Sequence, residues 1–180
     1  MQVPLVMTVI GADRPGLVES IASLIADHGG NWLESRMCRL GGEFAGILRI
    51  HVPAEKQQAL EQALKGLAAT GLAVVAQADR PQPVAGDWKL TTLEIVGHDR
   101  PGIVHQIAHA LASQGVNVEE LATECVSAPM SGEMLFKAQV RLLIPASCNM
   151  ASLRAELEEI AGNLMVDISF AESKAGGQAR

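Results

Sequence analysis

The chain of 180 residues has little positive charge and no run of lysine or arginine. It contains 20 acidic and 14 basic residues, which gives a formal net charge of −6 at pH 7. A protein that binds nucleic acid needs a basic surface, because it must neutralise backbone phosphates. We therefore expect no direct binding to nucleic acid.

Cysteine and long apolar stretches are also scarce. The three cysteines Cys38, Cys125 and Cys148 are far apart, odd in number and without a CxxC spacing, which predicts free thiols in a reducing compartment and no metal or other cofactor. No stretch reaches the ~18 apolar residues of a membrane span. The apolar residues 3–12 lack the preceding basic segment of a signal peptide. We expect a cytoplasmic protein without membrane attachment.

The chain contains an internal repeat. The segment GADRPG at 11–16 returns as GHDRPG at 97–102, and an ungapped comparison of 11–34 with 97–120 gives identity at 12 of 24 positions. Farther along the chain, Val52 and Pro53 match Ile144 and Pro145, so the second copy carries about six extra residues near 126–133. Self-similarity at this level indicates two copies of one structural unit.

Within each copy the hydrophobic pattern changes period in a fixed order. An apolar run rich in β-branched residues at 3–10 predicts a strand. Helical periodicity follows from Pro15, and the two glycines after His28 end the helix. Gly41 and Gly42 supply the positive φ angles of a two-residue hairpin turn. The order of elements is therefore βαββαβ. We predict strands at 3–10, 31–40, 43–52, 72–76, 89–96, 116–127, 134–144 and 164–171, and helices at 15–28, 54–69, 101–114 and 150–162.

This order predicts an α+β protein made of two ferredoxin-like domains. Each domain is expected to have a four-stranded antiparallel sheet with both helices on one face, which leaves the other face and the sheet edges bare. The predicted boundaries are 1–78 for the first domain, 79–88 for a proline-containing linker, 89–171 for the second domain and 172–180 for a flexible tail. A second copy of the chain could cover bare edges, and we expect a homodimer.

The loop between the first strand and the first helix is the candidate site. We expect Arg14 at the capping position and Pro15 as the first helical residue, because proline fixes φ and has no N–H to satisfy. The next N–H groups then need an acceptor, which is a bound anion, water or the carboxylate of Asp13. The same arrangement recurs in the second copy. The expected donors are Gly16, Leu17 and Val18 in the first copy and Gly102, Ile103 and Val104 in the second, where Asp99 is the internal competitor.

An asparagine opens the second strand of each copy. Asn31 and Asn117 carry both donor and acceptor groups, and we expect them to lie beside the loop. A carboxylate at the helix N-terminus and an ammonium group held by asparagine would together describe an α-amino acid. The alternative is that both asparagines are ordinary turn residues and that the aspartates simply cap the helices.

The motif Gly-x-Asp-Arg-Pro-Gly between strand and helix, followed by Gly-x-Asn at the next strand, resembles the ACT domain, an amino-acid-sensing module of the βαββαβ kind. The resemblance covers about 3–76 and 89–171. It implies amino-acid binding in the strand–helix loop, often between two ACT domains. Transferred to this sequence, it implies a ligand site at Asp13, Arg14, Pro15, Gly16, Leu17 and Asn31, and a second one at His98, Asp99, Arg100, Pro101, Gly102, Ile103 and Asn117.

Tandem ACT domains further resemble the family of glycine cleavage repressors. That resemblance implies a non-enzymatic repressor of glycine cleavage genes, which responds to glycine and acts by binding a DNA-binding activator protein. Serine or another small amino acid satisfies the same chemistry. An ACT-type regulator of a metabolic enzyme is the alternative within the family.

The βαββαβ fold also occurs in small enzymes and in RNA-binding domains. Arg14 with Asn31 could form the phosphate site of an acylphosphatase-like enzyme, but the chain lacks a glycine-rich phosphate cradle and a nucleophile nearby. His105 and His109 have a zinc-compatible spacing without a third ligand. Phe44 lies on a third strand, as RNA-stacking aromatics do, yet its surroundings lack the basic start of that motif, and core packing is favoured for it and for Phe136.

Overall fold

The structure is a computed structural model that describes residues 1–80, 86–128 and 132–171. The chain divides into two compact units, Met1–Gln82 and Pro83–Arg180. Parts of the predicted linker and of the extra loop in the second copy, and the whole predicted tail, lie outside the described residues. No helix of the described ranges is both long and apolar enough to cross a membrane.

Unit 1 has the predicted βαββαβ order. Its sheet is antiparallel with strand order β2-β3-β1-β4, in which the first strand is central and pairs with β3 and β4. Short 3-10 turns, Ala54–Lys56 and Leu67–Thr70, flank the second helix. The elements are β1 (Gln2–Ala12), α1 (Leu17–Asp27), β2 (Asn31–Leu40), β3 (Glu43–Pro53), α2 (Gln57–Gly66) and β4 (Leu72–Ala78).

Unit 2 repeats this architecture with strand order β6-β7-β5-β8. Both units have a register shift near the start of the edge strand, between Trp32 and Glu34 in unit 1 and between Val118 and Glu120 in unit 2. The prediction of two ferredoxin-like domains is confirmed. The elements are β5 (Trp88–His98), α3 (Ile103–Ser113), β6 (Asn117–Ser127), β7 (Met134–Pro145), α4 (Met150–Leu164) and β8 (Val166–Ala171).

The core of each unit lies between its sheet and its two helices. Alternate residues of β1 (Leu5, Met7 and Val9) are buried against a stripe of the helices that includes Ile21 and Leu60. Alternation with period two places the other side chains of β1 on the bare face of the sheet, where Ile10 is half-exposed. The apolar faces of strand and helix therefore explain why this sequence forms a two-layer unit.

Two details differ from the sequence prediction. The first strand does not stop at Gly11 but continues to Ala12, because Gly11 pairs with both neighbouring strands. A Cβ at this position would lie 2.4 Å from the carbonyl oxygen of Gly71, so glycine is required there for close packing of strands. The Gly41–Gly42 turn is confirmed, with φ angles of 61° and 88°.

Candidate functional site

The first helix begins later than the sequence predicts. Helix α1 starts at Leu17, and the capping residue is Gly16, whose φ of 92° lies in the left-handed region. The prediction of Arg14 as the capping residue and Pro15 as the first helical residue is therefore wrong. Gly102 caps α3 in the same way with φ of 94°. The glycine of the motif allows the chain to turn sharply into the helix, a conformation that L-residues rarely adopt.

The first turn of each helix presents free N–H groups. In unit 1 they belong to Leu17, Val18 and Glu19, because the first helical bond is donated by Ser20 to the carbonyl oxygen of Gly16 at 2.9 Å. Hydrogen bonds within the described residues reach none of these three groups. Unit 2 has the same three open donors at the start of α3, on Ile103, Val104 and His105.

Helix α4 shows what a capped end looks like in this protein. The side-chain oxygen of Asn149 accepts hydrogen bonds from the N–H groups of Ala151 and Ser152, both at 3.1 Å. Neither motif loop offers such an acceptor to its helix. The first turns of α1 and α3 therefore keep the partial positive charge and the donor groups that favour an anion.

Asp13 has a different partner from the one expected. Its carboxylate pairs with the Nε of Arg39 at 2.6 Å, and its own N–H donates to the carbonyl oxygen of Gly42 at 2.9 Å. The aspartate thus ties the loop to the hairpin turn of β2 and β3 instead of capping α1. In unit 2 the N–H of Asp99 donates equivalently to the carbonyl oxygen of Met134 at 3.0 Å. The alternative in which both aspartates cap their helices is therefore wrong, since neither helix has a side-chain cap hydrogen bond.

An open depression of about 480 Å³ lies over the loop of unit 1. The arginine of the motif is held at its side, because the Arg14 guanidinium donates to the carbonyl oxygen of Thr70 at 3.1 Å. Glu19 lies in the first helical turn, where it accepts a hydrogen bond from Ser23 at 2.9 Å. The depression is lined by Asp13, Arg14, Gly16, Leu17, Val18, Glu19 and Phe44. It combines open backbone donors, a cation and two carboxylates, which is a composition suited to a zwitterion.

The loop of unit 2 carries different charges. Cys125 occupies the place that Arg39 has in unit 1, since each lies opposite the phenylalanine of the neighbouring strand. Partial desolvation, the negative charge of Asp99 and a hydrogen bond to its carboxylate raise the pKa of the exposed Cys125 thiol. His98 lies 3.7 Å from a carboxylate oxygen of Glu133. The two loops therefore share a backbone but differ in electrostatics.

The side chains around the start of α3 differ in charge from those around the start of α1. Pro101 follows Arg100, whose guanidinium lies 3.8 Å from the sulfur of Met165. The acidic side chain that Glu19 contributes to the first turn in unit 1 is replaced by His105, so that no acid occupies the first turn of α3. An anion at this helix end therefore meets less repulsion than at α1.

The structure does not bring the asparagines to the loops. Asn31 pairs with His51, whereas the loop end of β1 is opposite Glu43, eight positions away along β3 (51 − 43). At about 3.4 Å per residue the separation is roughly 27 Å. Asn117 is equally far from its loop, since it pairs with Leu143. The expectation fails because strand, helix and next strand reverse direction twice, so that β2 begins at the opposite end of the sheet.

The alternative sites do not assemble. Arg14 and Asn31 are too far apart to hold one phosphate within a unit. The rings of His105 and His109 are 6.4 Å apart, and no cluster of three metal-ligating side chains occurs in the described part of the chain. Phe136 is 7% exposed in the core of unit 2 and Phe44 packs against the core of unit 1, which confirms core packing for both.

Comparison with known proteins agrees with this architecture. The family model of the ACT domain matches residues 3–76 and 91–171, which are the two units. The chain belongs to the ACT domain family. The matched residues include both motif loops and all eight described strands apart from their ends.

Relatives place this ACT protein among tandem-domain regulators. It is 26% identical over 165 residues to the glycine cleavage system transcriptional repressor of Escherichia coli K12, covering 89% of this chain and 85% of that one. A crystal structure of an unknown protein from Galdieria sulphuraria has 30% identity and a TM-score of 0.79, with 94% and 98% coverage. A crystal structure of a candidate glycine cleavage system transcriptional repressor has 20% identity and a TM-score of 0.67, with 95% and 97% coverage, which shows the shared fold.

Two residues of the loop region were missed by the sequence analysis. Arg39 and Glu19 lie outside the repeated motif, and neither has an equivalent charge in the second copy. The signal that could have found Arg39 is the hairpin itself. Because β2 ends at Leu40, its last side chains must lie at the end of the sheet where β1 meets its helix.

Proposed function

We propose that this ACT regulatory protein senses a small amino acid, with glycine or serine favoured, and conveys its presence to a protein partner in the cytoplasm. The observation that carries the proposal is the open first turn of α1 and α3. Each unit offers three unsatisfied N–H groups behind a left-handed glycine, at the same position of the repeat. Such a turn favours a carboxylate, and no catalytic role is assigned to either loop.

The ammonium group of the ligand needs acceptors that one loop supplies only in part. In unit 1 the Glu19 carboxylate is the nearest candidate, since Asp13 is already paired with Arg39. Asn31 and Asn117 cannot assist within their own units because of the separation of roughly 27 Å. We therefore propose that a second copy of the chain completes the site, which makes the functional protein a homodimer.

The affinity for glycine has a physical ceiling. Glycine has five non-hydrogen atoms, and the best small ligands gain about 1.5 kcal/mol per atom, so binding cannot exceed ~7.5 kcal/mol. This corresponds to a dissociation constant of a few micromolar at best. The sensor is therefore expected to respond to an abundant metabolite and to remain empty at trace concentrations.

The binding proposal is tested by thermal unfolding with each of the twenty amino acids at ~10 mM. Ligand at about 100 times its dissociation constant adds roughly 2.7 kcal/mol to the free energy of unfolding, which raises the midpoint by several degrees. A small amino acid should produce this shift, whereas acetate and ethylamine should not. A flat response across all twenty would contradict the sensor.

Matched variants locate the binding site. Val18 is 46% exposed and lies in the open turn, so Val18→Asp removes little packing and places a negative charge beside the ligand carboxylate. Val104→Asp does the same in unit 2, and the two substitutions are combined so that neither loop can bind the ligand. An acid in the first turn stabilises the helix, so the double variant stays folded. It should lose the ligand-induced shift, and Gln62→Glu on the exposed face of α2 is the control that should retain it.

We further propose that the partner is a DNA-binding activator of glycine cleavage genes, which this protein represses by binding it. Support comes from the similarity to the Escherichia coli repressor over most of both chains. The test is affinity capture from host lysate with and without glycine, using the double variant as the control. Recovery of an activator in a glycine-dependent manner is expected, while recovery of a metabolic enzyme would favour the alternative within the ACT family.

A further inference from the structure

Unit 2 contains a cavity that the ACT motif does not involve. Its volume is about 330 Å³, and it lies where β5 begins and β7 ends, at the end of the sheet opposite the Asp99 loop. This volume is within the range of small-molecule sites. Its lining includes the charged residues Asp87, Lys89 and Arg154, and also Thr91, Cys148 and Phe170.

Thr91 places a polar group deep in this cavity. It is 8% exposed and is the one buried polar residue found in the described part of the chain. Among the described residues no fully buried side-chain nitrogen or oxygen lacks a hydrogen-bond partner, so this hydroxyl remains accessible from the cavity. It can donate a hydrogen bond to, or accept one from, water or a ligand that enters the cavity.

Unit 1 provides an internal comparison. The position equivalent to Thr91 is Leu5, which is fully buried in the core, and the position equivalent to Phe170 is Ala76. The fold itself therefore accepts leucine at this place and gains apolar packing from it. The threonine of unit 2 gives up part of that packing and places a hydroxyl group at the cavity wall instead.

A cation stands at the same cavity. The guanidinium carbon of Arg154 lies 4.7 Å from the centre of the Phe170 ring. At this distance the cation and the ring attract each other, and the N–H groups of a guanidinium can form a bidentate hydrogen bond to a carboxylate. Neither Arg154 nor Lys89 forms an ion pair with a carboxylate of the described residues. The ring holds Arg154 in place without neutralising it.

We propose that this cavity is a second ligand site, specific to unit 2, for a small organic carboxylate with an apolar body. The two cations Arg154 and Lys89 outnumber the one carboxylate of Asp87 at the cavity and face the ligand carboxylate together with the Thr91 hydroxyl. The apolar walls, Phe170 among them, accept the hydrocarbon part. An apolar amino acid and the corresponding deaminated acid share this chemistry. The site is independent of the proposed sensing loops.

Phenylacetate is the probe. Phenylalanine is the comparison that distinguishes an apolar amino acid from a deaminated acid as the ligand. Isothermal titration calorimetry of the unmodified chain should show saturable binding of phenylacetate. Acetate lacks the apolar body and 2-phenylethanol lacks the charge, so both should bind at least tenfold more weakly. Tighter binding of phenylalanine assigns the natural ligand to amino acids, and weaker binding assigns it to deaminated acids.

Three variants test the named residues. Arg154→Met keeps the contact with Phe170 and removes the charge, which should weaken phenylacetate binding about tenfold or more. Thr91→Val removes the hydroxyl at nearly constant volume and should weaken binding about fivefold, with an unchanged or higher melting temperature. Thr92→Val is the control, because this neighbour points to the other face of the sheet. Equal affinity in all three, or no binding by the unmodified chain at ~20 mM, would overturn the proposal.

Cysteine labelling gives a second readout. Cys148 lines the cavity, whereas Cys38 is exposed in unit 1 and serves as the internal control. Phenylacetate should slow iodoacetamide labelling of Cys148, measured by peptide mass spectrometry, and leave Cys38 unchanged. The double variant of Val18 and Val104 should still show this protection, so failure of the sensing loops and failure of the cavity site are distinguished. Labelling of Cys148 that ignores phenylacetate would contradict the proposed site.

Discussion

The first glycine of the repeated motif offers a quantitative test of what the motif is for. An ideal Cβ on Gly11 would lie 2.4 Å from the carbonyl oxygen of Gly71, and one on Gly97 would lie 2.6 Å from the Cα of Val166. Ordinary contacts to a Cβ begin near 3.4 Å. Gly11→Ala therefore requires the start of β4 to move about 1 Å farther from β1, at a point where the two strands are paired.

Overpacking of this kind costs typically 1–3 kcal/mol, and backbone atoms cannot move aside as a flexible side chain can. We expect Gly11→Ala to lower the free energy of unfolding by about 2–3 kcal/mol. For a unit of this size that lowers the melting temperature by roughly 8–20 °C. Gly97→Ala should have a similar effect on unit 2.

The measurement is urea unfolding followed by circular dichroism, with Gly66→Ala as the matched control. Gly66 ends α2 and has open space around its Cβ position, so alanine there should be neutral or stabilising by up to ~1 kcal/mol. A free energy of unfolding for Gly11→Ala within ~0.5 kcal/mol of the unmodified chain would refute the packing argument.

Two further predictions concern charge. Asp99→Asn removes a negative charge that disfavours the thiolate, so it should lower the pKa of Cys125 and move the pH profile of its alkylation to lower pH, while the profile of Cys38 stays in place. An unchanged Cys125 profile would show that Asp99 does not act on it. At ~150 mM salt the purified chain alone should show no sequence-specific DNA binding, because its net charge is −6 and it has no basic run. Nanomolar retention of a promoter fragment in a mobility-shift assay would contradict this.

The architecture was predictable because each element has a strong local signal. Alternating apolar residues in β1, the period of α1 and the Gly41–Gly42 turn agree with one another, and the repeat supplied a second reading of the same pattern. Helix ends were less predictable. Proline at position 15 suggested the start of α1, but the left-handed conformation of the next glycine moved the start to Leu17.

The site was predictable only in part, since its residues meet through tertiary structure. The loop could be located from the motif, whereas the pairing of Asp13 with Arg39 depends on the register of β2 and β3. The large distance from Asn31 to the loop follows from the directions of β1 and β2, which run parallel to each other. The predicted βαββαβ order was enough to deduce those directions. The cavity at Thr91 had no sequence signal, because a threonine in a strand is unremarkable until its burial is known.

Identity between the two copies is therefore a weak guide to ligand chemistry in this protein. Gly11 and Gly97 are shared because two strands pack closely there, and Gly16 and Gly102 are shared because the chain must enter a helix with positive φ.

Two of the positions at which the copies differ lie beside the candidate ligand sites. Arg39 is replaced by Cys125 beside the motif aspartate, and Leu5 is replaced by Thr91 in the core. Neither replacement improves packing or adds an ion pair, so the fold gives no reason for it. If the duplication began with two equivalent units, the divergent positions are where selection for different ligands acted, and they are the positions at which substitution should separate the binding properties of unit 1 from those of unit 2.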